Sequence, residues 1–303
     1  MALDPNWIPE YTIINKIYEG NNSTIYRAIK DNIYYTVKIV TPKNAQQKEQ
    51  TLNEITILKF LSTPTCHYNI ICFKEYIHIK NPNTRYLTHK IFGEESKSDK
   101  YIIITYYVEG VDLFDFVAKR IKYTKNIRNY YWEIYQLFYQ MAYAVKEIHD
   151  LGIAHNDIKT ENFLYNTHTV YLADFGFACP VTEQLSKELN IPICKYHSRG
   201  TPEYASPETF TGKERDLIKS DIYSLGVTFF AMLYFTFPYF SDNPYDYAYR
   251  DRLEDNTKIM VDDPDLDVNI KSLILKMLDQ KPENRPNDKT IFETIKLVIY
   301  KSE

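Results

Sequence analysis

Glycine is the residue that this sequence most clearly lacks. The chain holds 8 glycines among 303 residues, where average usage would give about 20. Glycine adopts positive φ angles without the steric cost that other residues meet. We therefore expect the few glycines to stand where the backbone turns sharply or where two segments approach closely. The sequence also contains neither internal repeats nor a low-complexity linker.

Cysteine and positive charge are also in short supply. Four cysteines in a chain of this length do not make a disulfide framework, and residues 1–11 contain no apolar signal core. The net charge of −4 argues against binding nucleic acid through general positive charge. We expect a soluble, intracellular protein, cytoplasmic or, if the source is a virus, in the host cytoplasm. Abundant Tyr, Ile and Asn are typical of an AT-rich genome, such as that of a giant virus or some protists.

Long apolar runs are absent, with one exception at residues 224–240, which carry no charge. This run is just short of the ~20 residues that a membrane-crossing helix needs, and Pro238 interrupts it. A helix buried in a protein core is therefore the preferred interpretation, and we expect no membrane partner.

The first third of the chain is rich in strand patterns. Alternating and β-branched residues predict strands at residues 11–18, 23–29, 34–40, 71–79 and 101–108. Because short turns join the first three, an antiparallel sheet is expected. The polar stretch 81–100 is too long for a hairpin turn, and we interpret it as a surface insertion rather than a binding loop.

Helical patterns occur once among these strands and then dominate. An amphipathic helix is predicted over 48–61, with an apolar face made by Leu52, Ile55, Leu58 and Leu61. From Asp112 onward the pattern is mostly helical, including a long helix over 127–152 that Gly152 would cap. Because strand patterns come first and helical patterns later, the sequence predicts an α+β fold with a boundary near residues 106–112.

Three groups of residues have the chemistry that phosphoryl transfer requires, which is the positioning and neutralisation of phosphate charge. Lys38 lies in a predicted strand, TVKIV, and Glu54 on the following helix could pair with it. A lone lysine in a strand is usually a solvated edge residue, so this pair gains meaning only from the other two groups.

The second group is the stretch HNDIKTEN, residues 155–162. Asp157 could accept the proton of an attacking hydroxyl, and Lys159 could steady the transferred phosphoryl group. Asn162 could offer its carbonyl oxygen to a hard cation. The third group is LADFGFA, residues 172–178, where Asp174 follows a short strand and Gly176 would permit a sharp turn. Asn162 and Asp174 could converge on one or two Mg²⁺ ions.

Taken in order, these groups resemble the signatures of eukaryotic-type protein kinases over almost the whole chain. TVKIV resembles the strand with the ATP-phosphate lysine, HNDIKTEN the catalytic loop, and ADFG the magnesium-binding motif. ASPE, ending at Glu208, resembles the end of an activation segment. In SDIYSLG the matching Asp221 would brace the catalytic loop, and in KPENRP the matching Arg285 would pair with Glu208.

The resemblance implies a two-lobed protein kinase fold. A small antiparallel β-sheet lobe with one helix would span residues 11–106, a hinge residues 107–111, and a larger, mainly α-helical lobe residues 112–300. It implies ATP and Mg²⁺ as cofactors, protein substrates as partners, and a monomer.

It also implies an ATP site between the lobes. The residues expected to bind ATP, besides Lys38 and Glu54, are Ile17, Gly20, Ile25, Tyr106, Val108 and Asp112. Tyr106 and Val108 would meet the adenine through backbone groups, and Asp112 would reach the ribose. Thr105 would be a small gatekeeper.

The subclass follows from two matches. Lys159, two residues after Asp157, and GTPEYASPE, residues 200–208, resemble serine/threonine kinases. In those enzymes the residue matching Thr201 hydrogen-bonds the catalytic Asp and Lys. The expected reaction is therefore transfer of the ATP γ-phosphoryl group to Ser or Thr hydroxyls of proteins.

Two departures from the family pattern stand out. The phosphate loop IYEGNNSTI keeps only Gly20, with Tyr18 and Ser23 where the family has glycines. Asn156 stands where the catalytic loop usually carries an arginine that receives a phosphate from the activation segment. Because that arginine takes no part in bond making, the sequence predicts a working kinase with a lost or altered switch.

Other interpretations stay open. The depleted phosphate loop is also compatible with a catalytically silent scaffold, and a small-molecule kinase could share the core. Cys179, Cys194 and His197 could bind zinc with a fourth ligand, although no close Cys pair favours this. His155 is expected to pack and hydrogen-bond rather than to react.

Overall fold

The computed structural model of the chain describes residues 8, 10–80, 99–121, 127–193, 200–211, 214–243, 246–247 and 250–302. The chain divides into two compact units. The first comprises residues 1–67 and 71–109, and the second comprises residues 68–70 and 110–303. Of the predicted insertion at 81–100, all but Asp99 and Lys100 lies outside the described residues.

The first unit contains a five-stranded antiparallel sheet. Its strands are β1 (Thr12–Glu19), β2 (Ser23–Lys30), β3 (Ile33–Val40), β4 (Phe73–Ile79) and β5 (Lys100–Tyr106). They lie in the order β1-β2-β3-β5-β4, so β3 is central. Tyr35, Val37 and Ile39 of β3 are buried in the core of the unit with Ile102 and Ile104 of β5. The predicted antiparallel sheet is confirmed, with strand ends displaced by at most two residues.

One helix, α1 (Ala45–Leu61), belongs to the same unit. It begins before the predicted residue 48 because the Asn44 side chain accepts a hydrogen bond from the Gln47 N–H and caps it. The predicted apolar face is wrong at Leu52, which is 41% exposed. Glu54 is buried, and residues two apart on a helix lie about 160° apart around its axis. Leu52 therefore faces away from the buried side.

The disulfide between Cys66 and Cys72 closes a short loop after α1. This one local disulfide is not a framework of several disulfides, which the low number of cysteines argued against.

The second unit is mainly helical. Its helices are α2 (Leu113–Ile121), α3 (Ile127–Asp150), α4 (Glu183–Leu189), α5 (Leu217–Tyr234), α6 (Thr257–Val261), α7 (Val268–Met277) and α8 (Asp288–Ser302). Its short strands are β6 (Val111–Asp112), β7 (Ile153–Ala154), β8 (Phe163–Tyr165), β9 (Val170–Leu172), β10 (Cys179–Pro180), β11 (Tyr239–Phe240) and β12 (Glu254–Asp255). A mainly helical second part confirms the predicted α+β class.

The apolar run at 224–240 forms the end of α5 and the turn after it. Of the 18 residues of α5, 14 are buried, which confirms the prediction of a core helix. None of the helices within the described residues is long and apolar enough to cross a membrane.

Two of the described glycines have positive φ angles, a conformation that eight described residues of other types also adopt. Gly152 and Gly200 have φ angles of 78° and 85°, the two positive values among the described glycines. Gly152 follows the end of α3 by two residues and its N–H donates to the His149 carbonyl. The sharp turn expected at Gly176 is instead made at Asp174, whose φ is 59°.

Candidate active site

Asp157 lies between β7 and the short helical turn Thr160–Asn162, and its carboxylate is held from several sides. The backbone N–H and the hydroxyl of Thr201 donate to Oδ1 at 3.0 and 3.1 Å. Lys159 Nζ lies 2.8 Å from Oδ2 and also donates to the Thr201 hydroxyl at 2.8 Å. These contacts fix a carboxylate that is only 6% exposed, so it is preorganised to accept a proton.

Gly200 makes this arrangement possible. A Cβ at residue 200 would lie 2.5 Å from the Asn156 carbonyl oxygen and 3.2 Å from Asp157 Oδ1. Any side chain there would push Thr201 away from Asp157.

Asn162 and Asp174 are brought together by backbone pairing. The Ala173 N–H donates to the Asn162 carbonyl at 2.8 Å, which sets Asp174 beside the catalytic loop. The Asn162 amide nitrogen donates to the backbone and carboxylate oxygens of Asp157, at 2.8 and 3.1 Å. With the nitrogen so engaged, Oδ1 is the atom that Asn162 can offer to a cation. Two oxygen ligands fit Mg²⁺, which binds through one or two protein oxygens plus phosphates and water.

Asp221 of α5 holds the backbone of the catalytic loop. Its carboxylate accepts hydrogen bonds from the backbone N–H groups of His155 and Asn156, at 2.6 and 2.8 Å. These two hydrogen bonds are the contacts that the bracing role inferred for Asp221 requires. His155 itself is fully buried, and its Nε2 lies 3.0 Å from the Ala173 carbonyl.

This support includes two further residues, His149 and Asp288, which no sequence motif connects. His149 of α3 lies 3.1 Å from Asp221 and 2.9 Å from Asp288 of α8. Burial alone would lower the pKa of His149, but the hydrogen bonds to these carboxylates outweigh it and raise the pKa to about 9. Burial would raise the pKa of Asp288, yet the bond to His149 holds it below its ordinary value.

Asn156 adopts a left-handed conformation, with φ of 62°, which Asn tolerates better than most residues. Its amide nitrogen donates to the Phe177 carbonyl at 3.2 Å. Its Oδ1 lies 3.4 Å from Nη2 of Arg215, a guanidinium that is only 8% exposed. Arg215 could not be identified from the sequence, because it belongs to no kinase motif. Asn156 therefore replaces the arginine that is usual at this position, and the guanidinium of a different arginine, Arg215, lies next to it.

Glu208 and Arg285 form the predicted pair. The two guanidinium nitrogens Nη1 and Nη2 lie 2.6 and 2.8 Å from the two carboxylate oxygens. Arg285 is 2% exposed and also donates to the backbone carbonyls of Asp279 and Lys219. Burial would raise the pKa of Glu208, but Arg285 lowers it below the ordinary value.

In the first unit, Lys38 of β3 donates to Glu54 of α1 at 2.7 Å. The pair predicted from the sequence is therefore formed, with Glu54 buried and Lys38 partly exposed. Thr105, at the end of β5, is also buried. The Tyr106 N–H donates to the Cys72 carbonyl, so Tyr106 has its carbonyl to offer a ligand. Val108 lies two residues after the end of β5.

Asp112 lies in β6 of the second unit, and its Oδ1 accepts a hydrogen bond from the Asp115 N–H at 2.8 Å. One carboxylate oxygen therefore caps α2. A ribose hydroxyl would have to bind the other oxygen.

The phosphate loop is the tight turn between β1 and β2. The Gly20 N–H donates to the Ser23 carbonyl at 2.8 Å, and Ile17 and Ile25 lie on the flanking strands. The Tyr18 ring lies over Gly20, since a Cβ at Gly20 would come 2.8 Å from it. Tyr18 thus fills space that a glycine at its position would leave open.

Thr182, Ser186 and Ser198 are the positions between Asp174 and Glu208 at which we expect phosphorylation, and the first two, which the structure describes, have local structural roles. The Thr182 hydroxyl caps α4 by accepting from the Leu185 N–H, and the Ser186 hydroxyl donates to the Ile191 carbonyl. Ser198 lies outside the described residues, as do Cys194 and His197. Cys179 is buried, and no group of metal ligands occurs within the described part of the chain.

Comparison with known proteins shows which sequences this chain resembles. The model of the family described as "Protein kinase domain" matches residues 11–295. The chain is similar to a "Putative serine/threonine-protein kinase R436" from Acanthamoeba polyphaga mimivirus, 31% identical over 82% of this chain and 79% of that protein.

Two further relatives are longer than the matched region. The chain is 28% identical to a "Probable serine/threonine-protein kinase FMP48" from Saccharomyces cerevisiae, over 74% of this chain and 58% of that protein. It is 29% identical to a "Serine/threonine-protein kinase Nek9" from Xenopus laevis, over 89% of this chain and 25% of that protein. The chain therefore spans less than two thirds of these relatives.

Proposed function

The chain belongs to the protein kinase family, and we propose that it is a serine/threonine protein kinase, which transfers the γ-phosphoryl group of ATP to Ser or Thr hydroxyls of protein substrates. The observation that carries this proposal is the Asp157 carboxylate, which Thr201 and Lys159 hold in place. A silent scaffold would not require these contacts around a single buried carboxylate. We further propose that the protein acts as a monomer inside the cell.

Each residue of the loop has a proposed part in the transfer. Asp157 orients the acceptor hydroxyl and accepts its proton as the oxygen attacks the γ-phosphorus. Lys159, which bridges Asp157 and Thr201, stabilises the charge on the transferred group. Thr201 joins the activation segment to the loop, so that acceptor binding and catalysis are coupled.

Asn162 and Asp174 are the residues that would hold Mg²⁺. When bound, the ion would neutralise phosphate charge and orient the nucleotide for transfer. The protein provides one amide and one carboxylate oxygen for it. The hydrogen bonds of Asn162 to Asp157 would keep the amide in the orientation that presents its oxygen.

The first unit supplies the proposed nucleotide contacts. Lys38, held by Glu54, binds phosphate oxygens, and Ile17, Gly20 and Ile25 cover the nucleotide. The Tyr106 carbonyl and Val108 contact the adenine, and residues 107–111 form the hinge. Asp112 of the second unit contacts the ribose.

The test is incubation of the purified protein with labelled ATP and Mg²⁺ on an array of Ser, Thr and Tyr peptides, with small metabolites assayed alongside. We expect label on Ser and Thr peptides, and at least about 10²-fold slower labelling with the Asp157→Asn variant. ATP binding without any transfer would support the scaffold, and transfer to metabolites alone would support a small-molecule kinase.

A further inference from the structure

The second unit carries a small apolar pocket next to the catalytic loop, with a volume of about 90 Å³. Its walls come from α2, from the end of α5 and the turn after it, and from Thr160 and Tyr204. The apolar residues that line it are Leu113, Phe114, Val117, Met232, Phe235 and Phe237. Among the described residues that line the pocket, none is charged and none has a part in the proposed phosphoryl transfer.

Two aromatic rings at this pocket are exposed to solvent. Phe114 is 54% exposed and Phe235 is 42% exposed. Phe235 ends α5 in a left-handed conformation, with φ of 56°, a conformation that is uncommon for bulky residues and suits Gly or Asn. The turn alone therefore does not explain a phenyl ring at this position. Exposed apolar groups that cluster around a cavity mark binding sites.

Tyr204 connects this pocket with the reacting groups. Its hydroxyl lies 3.2 Å from the Thr160 hydroxyl and 3.4 Å from Glu161, both in the catalytic loop. The same tyrosine also lines the small cavity that contains Asp157 and Thr201. Because Thr160 of the catalytic loop also lines the apolar pocket, the pocket borders the loop that carries Asp157.

We propose that this pocket is a substrate subsite, which binds one apolar side chain of the acceptor protein, about the size of Leu or Met, close to the phosphorylated Ser or Thr. The inference rests on the proposed function and adds the class of substrate. A cavity of about 150 Å³ accommodates benzene, so this smaller and open pocket suits an aliphatic side chain. A charged side chain would lose hydration there without gaining a partner.

The first experiment measures kcat/KM on peptides with one acceptor Ser in an Ala and Gly background. A single Leu, Met, Arg or Glu is moved through the positions on both sides of the Ser. We expect Leu and Met to raise kcat/KM at least tenfold over Ala at one position, because pocket contacts of this kind discriminate by about 10- to 200-fold. Arg and Glu at that position should give no gain. The absence of any such position would overturn the subsite.

Two variants test whether this pocket is responsible. Phe235→Gly removes the ring while keeping the left-handed turn, so it should reduce the Leu-to-Ala ratio severalfold without lowering thermal stability. Ala231→Glu places a carboxylate among the lining residues and should make Arg better than Leu. The matched control is Tyr300→Ala, an aromatic 63% exposed and outside the pocket, which should keep the wild-type ratio. An equal loss of preference in the control would contradict the proposal.

Direct binding separates the subsite from the catalytic proposal. Fluorescence anisotropy with peptides in which Ala replaces the acceptor Ser should show tighter binding of the Leu peptide, and Phe235→Gly should abolish the difference. If this difference is found but no peptide is phosphorylated, the subsite is supported and the proposed function fails. If peptides are phosphorylated with no Leu preference, the function is supported and the subsite fails.

Discussion

At the scale of single residues, the site depends on side chains held in one orientation by several partners each. Asp157 has Thr201, Lys159 and Asn162 around its two carboxylate oxygens. A change at any of them would alter the position of the carboxylate that we propose as the proton acceptor. The chemistry therefore depends on hydrogen-bond geometry as well as on residue identity.

Replacing Asp157 with Asn should lower the transfer rate by about 10²- to 10⁴-fold, since a general base contributes this much, while ATP binding stays nearly unchanged. Single-turnover transfer and nucleotide titration measure the two effects. Asp115→Asn, a change at an exposed carboxylate outside the site, is the control and should keep full activity. Substantial activity in Asp157→Asn would contradict the assignment.

Asn156 cannot bind a phosphate as an arginine does, because a neutral amide lacks the charge that makes such bonds worth about 1.5–3 kcal/mol. Protein made in bacteria and stripped by phosphatase should therefore keep most of its activity. Asn156→Arg should make activity more dependent on phosphorylation without being needed for it.

Arg215 bears on this prediction, because its guanidinium already lies against Asn156. A tenfold or greater loss of wild-type activity on phosphatase treatment would mean that another cation reads the phosphate. The Arg215→Gln variant would then show whether Arg215 is that cation, since its activity should no longer respond to phosphatase.

At the scale of elements, ion pairs join helices to strands and to other helices. In the first unit, Lys38 and Glu54 join β3 to α1. In the second, His149 joins α3 to α5 and α8 through Asp221 and Asp288. Glu54, His149 and Asp221 are buried, so removing the partner of any of them leaves a buried charge without compensation.

Lys38→Met should strongly reduce transfer, because it removes the proposed phosphate contact and leaves Glu54 buried without its cation. Glu54→Gln should reduce transfer less, since the amide can still hold Lys38 by a hydrogen bond. Rates and ATP affinities of both variants test this order, with Lys30→Met on the same sheet as the control. A larger loss in Glu54→Gln than in Lys38→Met would show that the pair matters for another reason.

The His149 cluster predicts a stability that depends on pH. The pKa of His149 rises from 6.5 to about 9 on folding, so its stabilisation is complete below pH 6.5 and is lost as pH rises through 9. The upper limit of this loss is on the order of 3 kcal/mol. Asp288, with a lowered pKa, adds stability that is lost only as pH falls below its ordinary range.

Urea unfolding between pH 6 and pH 10 measures the His149 effect. His149→Gln should be less stable than the wild type at pH 6 and should lose most of the decline toward alkaline pH. His168→Gln, at an exposed histidine, should follow the wild-type curve. Parallel curves for wild type and His149→Gln would rule out the cluster as the cause.

At the scale of the whole molecule, one buried guanidinium connects distant parts of the second unit. Arg285 binds Glu208 at the end of the activation segment, the Lys219 carbonyl of α5 and the Asp279 carbonyl after α7. These contacts explain why Arg285 is part of a kinase motif although it is far from Asp157 in the sequence.

Arg285→Ala should lower the free energy of unfolding by about 3–5 kcal/mol, because it leaves the largely buried Glu208 carboxylate without its cation. Denaturant unfolding measures this loss. The matched control is Arg252→Ala, at a half-exposed arginine near Asp246, which should change stability by less than about 1 kcal/mol. Similar losses in both variants would contradict the role of the buried pair.

The sequence by itself determined the order of elements and the pairs that belong to motifs. Strand and helix patterns depend on local periodicity, so the five-stranded sheet and the core helix α5 could be predicted from it. The Lys38–Glu54 and Glu208–Arg285 pairs could be predicted because family motifs mark both partners. The scarcity of glycine likewise pointed to Gly152 and Gly200.

Only the tertiary structure decided which unmarked residues meet. Arg215 and Asn156 are separated by 59 positions, and His149 and Asp288 by 139, with no local pattern linking them. The apolar pocket draws on α2, the catalytic loop and the end of α5. The buried side of α1 likewise follows from Glu54 turning inward, which places Leu52 in solvent. Contacts of this kind arise from packing between elements, which periodicity along one element does not encode.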